Sequence, residues 1–188
     1  MNKRQFLGAA TLAGALPALA AKPAQPGPAL LTVTGLVARS NRGPFDPVRD
    51  QMMHKQKLSF DKAFAFDFAA LERLPPVEIR PTLEYDGKVH ILRGPRLLDV
   101  LAAAGAGAGS RLALRAVDGY AAAVSLSEAR TMGMIVATHM DGQPMALGGL
   151  GPLWAVYDAD RNPAAAAKPL AERFGNCPWA LYHIEVMA

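Results

Sequence analysis

The chain has 188 residues, 51% hydrophobic and 19% charged, an ordinary balance for a globular protein with one apolar core. Its formal charge of +4 becomes +2 (18 basic against 16 acidic side chains) once Lys3 and Arg4 are set aside as part of a leader. The remaining arginines are scattered singly, which argues against a nucleic-acid surface.

The first 21 residues read as a cleavable signal. Met1 to Gln5 carries the positive charge, Phe6 to Leu19 is a short apolar run, and Ala18-Leu19-Ala20 or Leu19-Ala20-Ala21 offers a small-residue cleavage site. The run contains Gly8, Gly14 and Pro17 and is shorter than the roughly 20 apolar residues of a membrane-spanning helix. Asn2-Lys3-Arg4-Gln5-Phe6-Leu7 resembles the twin-arginine export motif with lysine in its first arginine position, so the general secretory and twin-arginine routes both stay open. The expectation is a periplasmic protein without a lipid anchor, since no cysteine lies near the cleavage point.

Residues 22–29 hold three prolines and a glycine and read as an extended lead-in, with residues 30–188 forming a single domain. Leu30 to Ala38 is β-branched and aliphatic, which predicts a strand. Val48 to Phe66 is polar with scattered Met and Phe and gives no clear element. Asp67 suits the cap of a short helix, Phe68 to Leu74, which Pro75-Pro76 ends. Val77 to Glu84 and Val89 to Leu92 flank Asp86-Gly87, a strong hairpin signal, and Gly94-Pro95 is expected to break the second strand.

Arg96 to Ala104 has leucines at helical spacing, and the stretch 105–109 reads as a flexible stop. Arg111 to Val117 predicts a strand and Leu126 to Thr131 a short helix. Gly133 to His139 and Gln143 to Leu147 flank a second turn at Asp141-Gly142. A tight loop, Gly148 to Gly151, feeds the strand Leu153 to Tyr157. The alternation over Ala180 to Val186 predicts a half-buried last strand. Hairpins with interspersed short helices indicate an α+β domain with mixed and antiparallel sheets.

The residues alone make little chemistry legible. Cys177 is the only cysteine, which excludes an intramolecular disulfide and an all-cysteine metal cage. Flanked by Asn176 and Pro178, it reads as a small half-buried residue at a turn. The glycine loop lacks the Lys-Ser/Thr of a phosphate-binding loop and precedes a strand, so it reads as a turn. His54, His90, His139 and His183 are not at ligand spacing and default to structural or surface roles, so no metal site is assigned. Met52-Met53-His54, and His139-Met140 with Met145, would be soft donors if the protein bound copper, which is kept as an alternative. Polar and aromatic residues at loop positions stand out as binding candidates: Asp118, Tyr120, Trp154, Arg173, Asn176 and Trp179.

From about Val77 onward, five signposts in order resemble the molybdopterin-binding domain of sulfite-oxidase-type oxidoreductases. They are Gly94 to Leu101; Asp118-Gly119-Tyr120 with Ser125 to Ala129; Ile135-Val136-Ala137 with Asp141 to Met145; Gly151 to Trp154; and Trp179 to Val186. The likeness is greatest to small exported bacterial members of that family, in which a segment like Phe66-Asp67 to Leu74-Pro75 precedes the core. The resemblance implies that family's fold, with molybdopterin as its cofactor.

It also implies a molybdenum-ligating cysteine near Arg80-Pro81-Thr82-Leu83, where this chain has none. Cys177 lies near the opposite end of the domain in sequence and cannot be carried over. The expectation is therefore a ligand-binding or accessory module that holds no cofactor, with a molybdopterin-dependent oxidoreductase lacking a protein thiolate as the alternative. Its partner would be a small anionic or pterin-like ligand, or a periplasmic signalling or redox protein. Gly94, Asp118, Tyr120, Trp154 and Trp179 are the candidate cofactor-binding positions, with Arg93 and Arg173 supplying anion contacts. No catalytic residue is assigned.

Overall fold

The computed structural model describes residues 27–106 and 109–188. The signal, most of the lead-in and the middle of the 105–109 stretch lie outside the described residues. No helix among the described residues is long and apolar enough to cross a membrane.

Among the described residues, three sheets and five short helices make up the α+β architecture expected from the sequence. The largest sheet has five strands in the order β2 (Ala63–Phe66), β1 (Leu31–Gly35), β11 (Leu181–Met187), β5 (Arg111–Ala116) and β6 (Ala121–Ser125). β1 runs parallel to β11 and every other neighbour is antiparallel, so the sheet is mixed. One of its faces carries Val33, Leu112, Leu114, Val124, Ile184 and Val186, all buried. Burying such apolar area is worth about 25 cal/mol per Å2, and this face anchors the core.

The opposite face carries Thr32, Thr34 and His183, and these are buried too. β11 is thus covered on both sides, whereas its alternation predicts a half-buried strand. Part of the cover comes from the polar stretch after β1, which contains α1 (Gln51–Lys55). Just beyond α1, Gln56 reaches the sheet: its Oε1 accepts from the Tyr182 hydroxyl at 2.7 Å and its Nε2 donates to the Val117 carbonyl.

β3 (Pro76–Ile79), β4 (Leu92–Pro95), β8 (His139–Met140) and β9 (Gln143–Pro144) form a four-stranded antiparallel sheet. Gly94 lies within β4, and the strand ends at Pro95. Gly94 is there because β4 crosses the buried strand β7 (Ile135–Ala137) at close range: a Cβ at 94 would lie 2.0 Å from the Val136 carbonyl oxygen. β7 pairs with β10 (Trp154–Val156), not with the strand after the second Asp-Gly turn, and every residue of the pair is buried.

The predicted helices form as α2 (Phe68–Glu72), α3 (Leu97–Ala103) and α4 (Leu126–Met132). Asp67 caps α2 by accepting from the Ala70 amide, and its other oxygen accepts from Gly27, tying down the end of the lead-in. Ser125 and Glu128 form a reciprocal capping box on α4. α5 (Pro163–Ala166) and a single 3-10 turn (Leu170–Glu172) lie between β10 and β11.

Candidate functional site

Three segments far apart in sequence converge on one cleft of about 270 Å3. The first is the β5–β6 turn. Gly119 at φ +94° lets the chain reverse there, and the Asp118 carboxylate accepts from the Tyr120 amide at 2.9 Å, a local turn that Asp favours. This places Asp118 and Tyr120 in the wall of the cleft, and the Tyr120 hydroxyl donates to the Gly175 carbonyl of the facing segment.

The second segment, residues 171–179, contributes Ala171, Phe174, Gly175, Cys177, Pro178 and Trp179. It is held from behind. The Trp154 indole donates to the Cys177 carbonyl at 2.9 Å, and the Tyr157 hydroxyl donates to the Arg173 carbonyl at 2.5 Å. Phe174 packs against both rings.

The third is the tip of the β3–β4 hairpin, which brings in Glu84 and Tyr85. Its approach is fixed by the Arg80 and Thr82 amides, which donate to the carboxylates of Asp158 and Asp160. Tyr85 lines the cleft while remaining partly exposed. Its pKa is pushed up to about 12 by burial first and then by the Glu84 carboxylate, so the phenol stays neutral at any physiological pH.

Of the sequence candidates, Asp118, Tyr120 and Trp179 are brought together here. Trp154 is not on a loop but in β10, fully buried behind the cleft. Arg173 is spent on structure, paired with Asp160 at 2.8 Å and donating to the Lys168 and Ala166 carbonyls. Arg93 and Gly94 lie on β4 and do not line the cleft, and Arg93 sits 3.6 Å from Glu72. The anion contacts expected of Arg93 and Arg173 are not made in this cleft, because neither side chain lines it. Glu84, Tyr85 and Phe174 escaped the sequence reading. Glu84 and Tyr85 immediately precede the Asp86-Gly87 turn, and that turn signal says nothing of which cavity the tip enters.

Cys177 is remote from the 80–85 hairpin in sequence and yet shares its cleft. It is buried, and burial pushes its thiol up to about 12, with the Glu84 charge acting in the same direction and a backbone hydrogen bond from Tyr157 opposing. A neutral, enclosed thiol is a poor nucleophile and a poor metal ligand.

No protein-family model matches the chain, and no curated protein sequence does. Among solved structures the chain is similar to the sulfane dehydrogenase SoxCD from Paracoccus pantotrophus, at 13% identity and a TM-score of 0.52. The match covers 84% of this chain but only 37% of that one. The likeness is one of fold, and the relationship is distant.

A second cleft, of about 330 Å3, lies beside the covering stretch and includes Arg42, Arg49, Met52, Met53 and Tyr182. Its Arg42 is engaged by both oxygens of Asp50, at 2.6 and 2.7 Å. Met53 is buried, and His54 stacks on Phe45. The His139 Nδ1 lies 2.9 Å from the Thr138 hydroxyl. Among the described residues, no three His, Cys, Asp or Glu side chains are placed to share a metal ion.

Proposed function

We propose that the chain is an exported periplasmic protein whose molybdopterin-oxidoreductase-like domain works as a ligand-binding or accessory module and not as a redox enzyme. The observation that carries this reading is the donor set of the cleft. A molybdopterin would bring a phosphate, which calls for Lys, Arg or backbone amides, and a metal that the sulfite-oxidase-type scaffold grips with a thiolate. The side chains lining the cleft include two carboxylates and no Lys or Arg, and the one thiol is buried and neutral. The side chains of this cleft supply neither the cation nor the thiolate that such a group would call for. A shared fold does not transfer its chemistry.

The test is to express the full chain in a host that makes the molybdenum cofactor and purify the mature protein from the periplasm. Metal is then measured by mass spectrometry and pterin by fluorescence after oxidation. Far less than one molybdenum and one pterin per chain is expected, with a mass showing cleavage near residue 21. Stoichiometric molybdenum would overturn the reading, and stoichiometric copper would replace it with the copper-binding alternative.

A further inference from the structure

We infer that the cleft takes a small organic cation, a quaternary or tertiary ammonium group, held between aromatic rings and two carboxylates. This rests on the ligand-binding function proposed above and gives that ligand a chemical class.

Three aromatic side chains line one small opening and remain substantially exposed: Tyr85 at 55%, Tyr120 at 45% and Trp179 at 38%. Folding normally hides such rings, and a cluster left at a concave surface marks a binding site. Aromatic faces are electron-rich and attract cations, most strongly where water is partly excluded.

The charges agree. Glu84 and Asp118 line the same opening, and among the described residues neither forms an ion pair. Other carboxylates do have a guanidinium partner: Asp50 pairs with Arg42, Glu185 with Arg115 and Asp160 with Arg173. No Lys, Arg or His lines the cleft to neutralise the pair, so the field there is negative and attracts positive ligands. A volume of about 270 Å3 sits just below the usual range for small-molecule pockets, which starts near 300 Å3, and suits a compact headgroup.

The probes are choline, its uncharged isostere 3,3-dimethylbutan-1-ol, and pterin-6-carboxylate as the anionic arm, titrated into the mature protein by calorimetry. Tryptophan fluorescence gives a second readout, because Trp179 lines the cleft and Trp154 does not. Choline is expected to bind at least about tenfold more tightly than the isostere. Trp179→Ala and Tyr85→Ala should each weaken choline about tenfold. Asp118→Asn and Glu84→Gln, which keep shape and fold, should each weaken it about threefold.

Equal binding of the isostere, or no choline binding at millimolar concentration, would overturn the inference. Indifference to the two amide variants would also overturn it. Binding of pterin-6-carboxylate alone would overturn it too, while leaving the ligand-binding reading intact. Stoichiometric molybdenum would remove that reading first.

Discussion

The His90 imidazole meets the Asp141 carboxylate at 2.7 Å through Nδ1, while its Nε2 lies 3.0 Å from Asp86. One side chain thus ties together both Asp-Gly turns that the sequence marks, Asp86-Gly87 and Asp141-Gly142. The first of these turns carries Tyr85 into the cleft. The hydrogen bond to Asp141, with a further one to Asp86, raises the His90 pKa against the opposing cost of burial, and it lowers those of Asp141 and Asp86.

Because the folded-state pKa of His90 is raised, its contribution to stability is complete below about 6.5, the unfolded value, and fades as pH rises through the folded value. His90→Gln is expected to lower Tm by about 2 °C at pH 6, the scale of an exposed pair. The difference should shrink at pH 8.5. Thermal melts by circular dichroism at the two pH values decide it, and an equal loss at both would contradict the linkage.

His183 behaves in the opposite way. It is buried in β11 with its Nε2 2.9 Å from the Thr34 hydroxyl, and burial, with help from Arg115, pushes its pKa down to about 3. A depressed histidine contributes stability above the unfolded value of about 6.5 that is lost as pH falls toward 3. In NMR titration the His183 ring signals should stay fixed from pH 8 to 5 while those of His90 move. A His183 midpoint near 6.5 would refute this.

Cys177 should resist alkylation. With its thiol buried and its pKa near 12, iodoacetamide at pH 8 should leave the native protein unmodified and add one equivalent once guanidinium unfolds it. Rapid native labelling, followed by mass spectrometry, would show a reactive thiol at the cleft instead.

Gly94→Ala tests whether Gly94 serves packing or binding. The added Cβ would collide with the Val136 carbonyl, so urea unfolding should reveal a loss of about 3 kcal/mol. A stable variant that binds less ligand would return Gly94 to the site.

Trp154→Phe should cost about 2 kcal/mol in the same assay, since it leaves the Cys177 carbonyl without its buried donor. The cost should show in stability first. Any change in cation affinity should come through the 171–179 segment that Trp154 holds, since Trp154 itself does not line the cleft.

Local chemistry was legible in the sequence wherever neighbours along the chain decide the outcome. Helical leucine spacing over 97–103, the Asp67 cap, the Asp-Gly turns and the β-branched runs of β1 and β5 are short-range signals, and the structure contains each element. β6 was not foreseen because Ala121 to Ala123 lack a strong strand preference; pairing with β5 makes the strand. β2 likewise depends on its register against β1, Leu31 with Phe66, in a stretch whose composition is mostly polar. The Gly94-Pro95 pair does mark the end of β4, and only β7 beneath it shows why residue 94 has no side chain.

The site divides in the same way. The sequence by itself determined which residues were unusual, Asp118, Tyr120 and Trp179 among them, and that Cys177 is the only cysteine. Only the tertiary structure decided that Glu84 and Tyr85 share their cleft, that Cys177 lies in it with a neutral thiol, and that Arg93 and Arg173 are occupied elsewhere. A cleft's charge and access depend on side chains contributed from distant segments, and one-dimensional spacing carries no information about those distances.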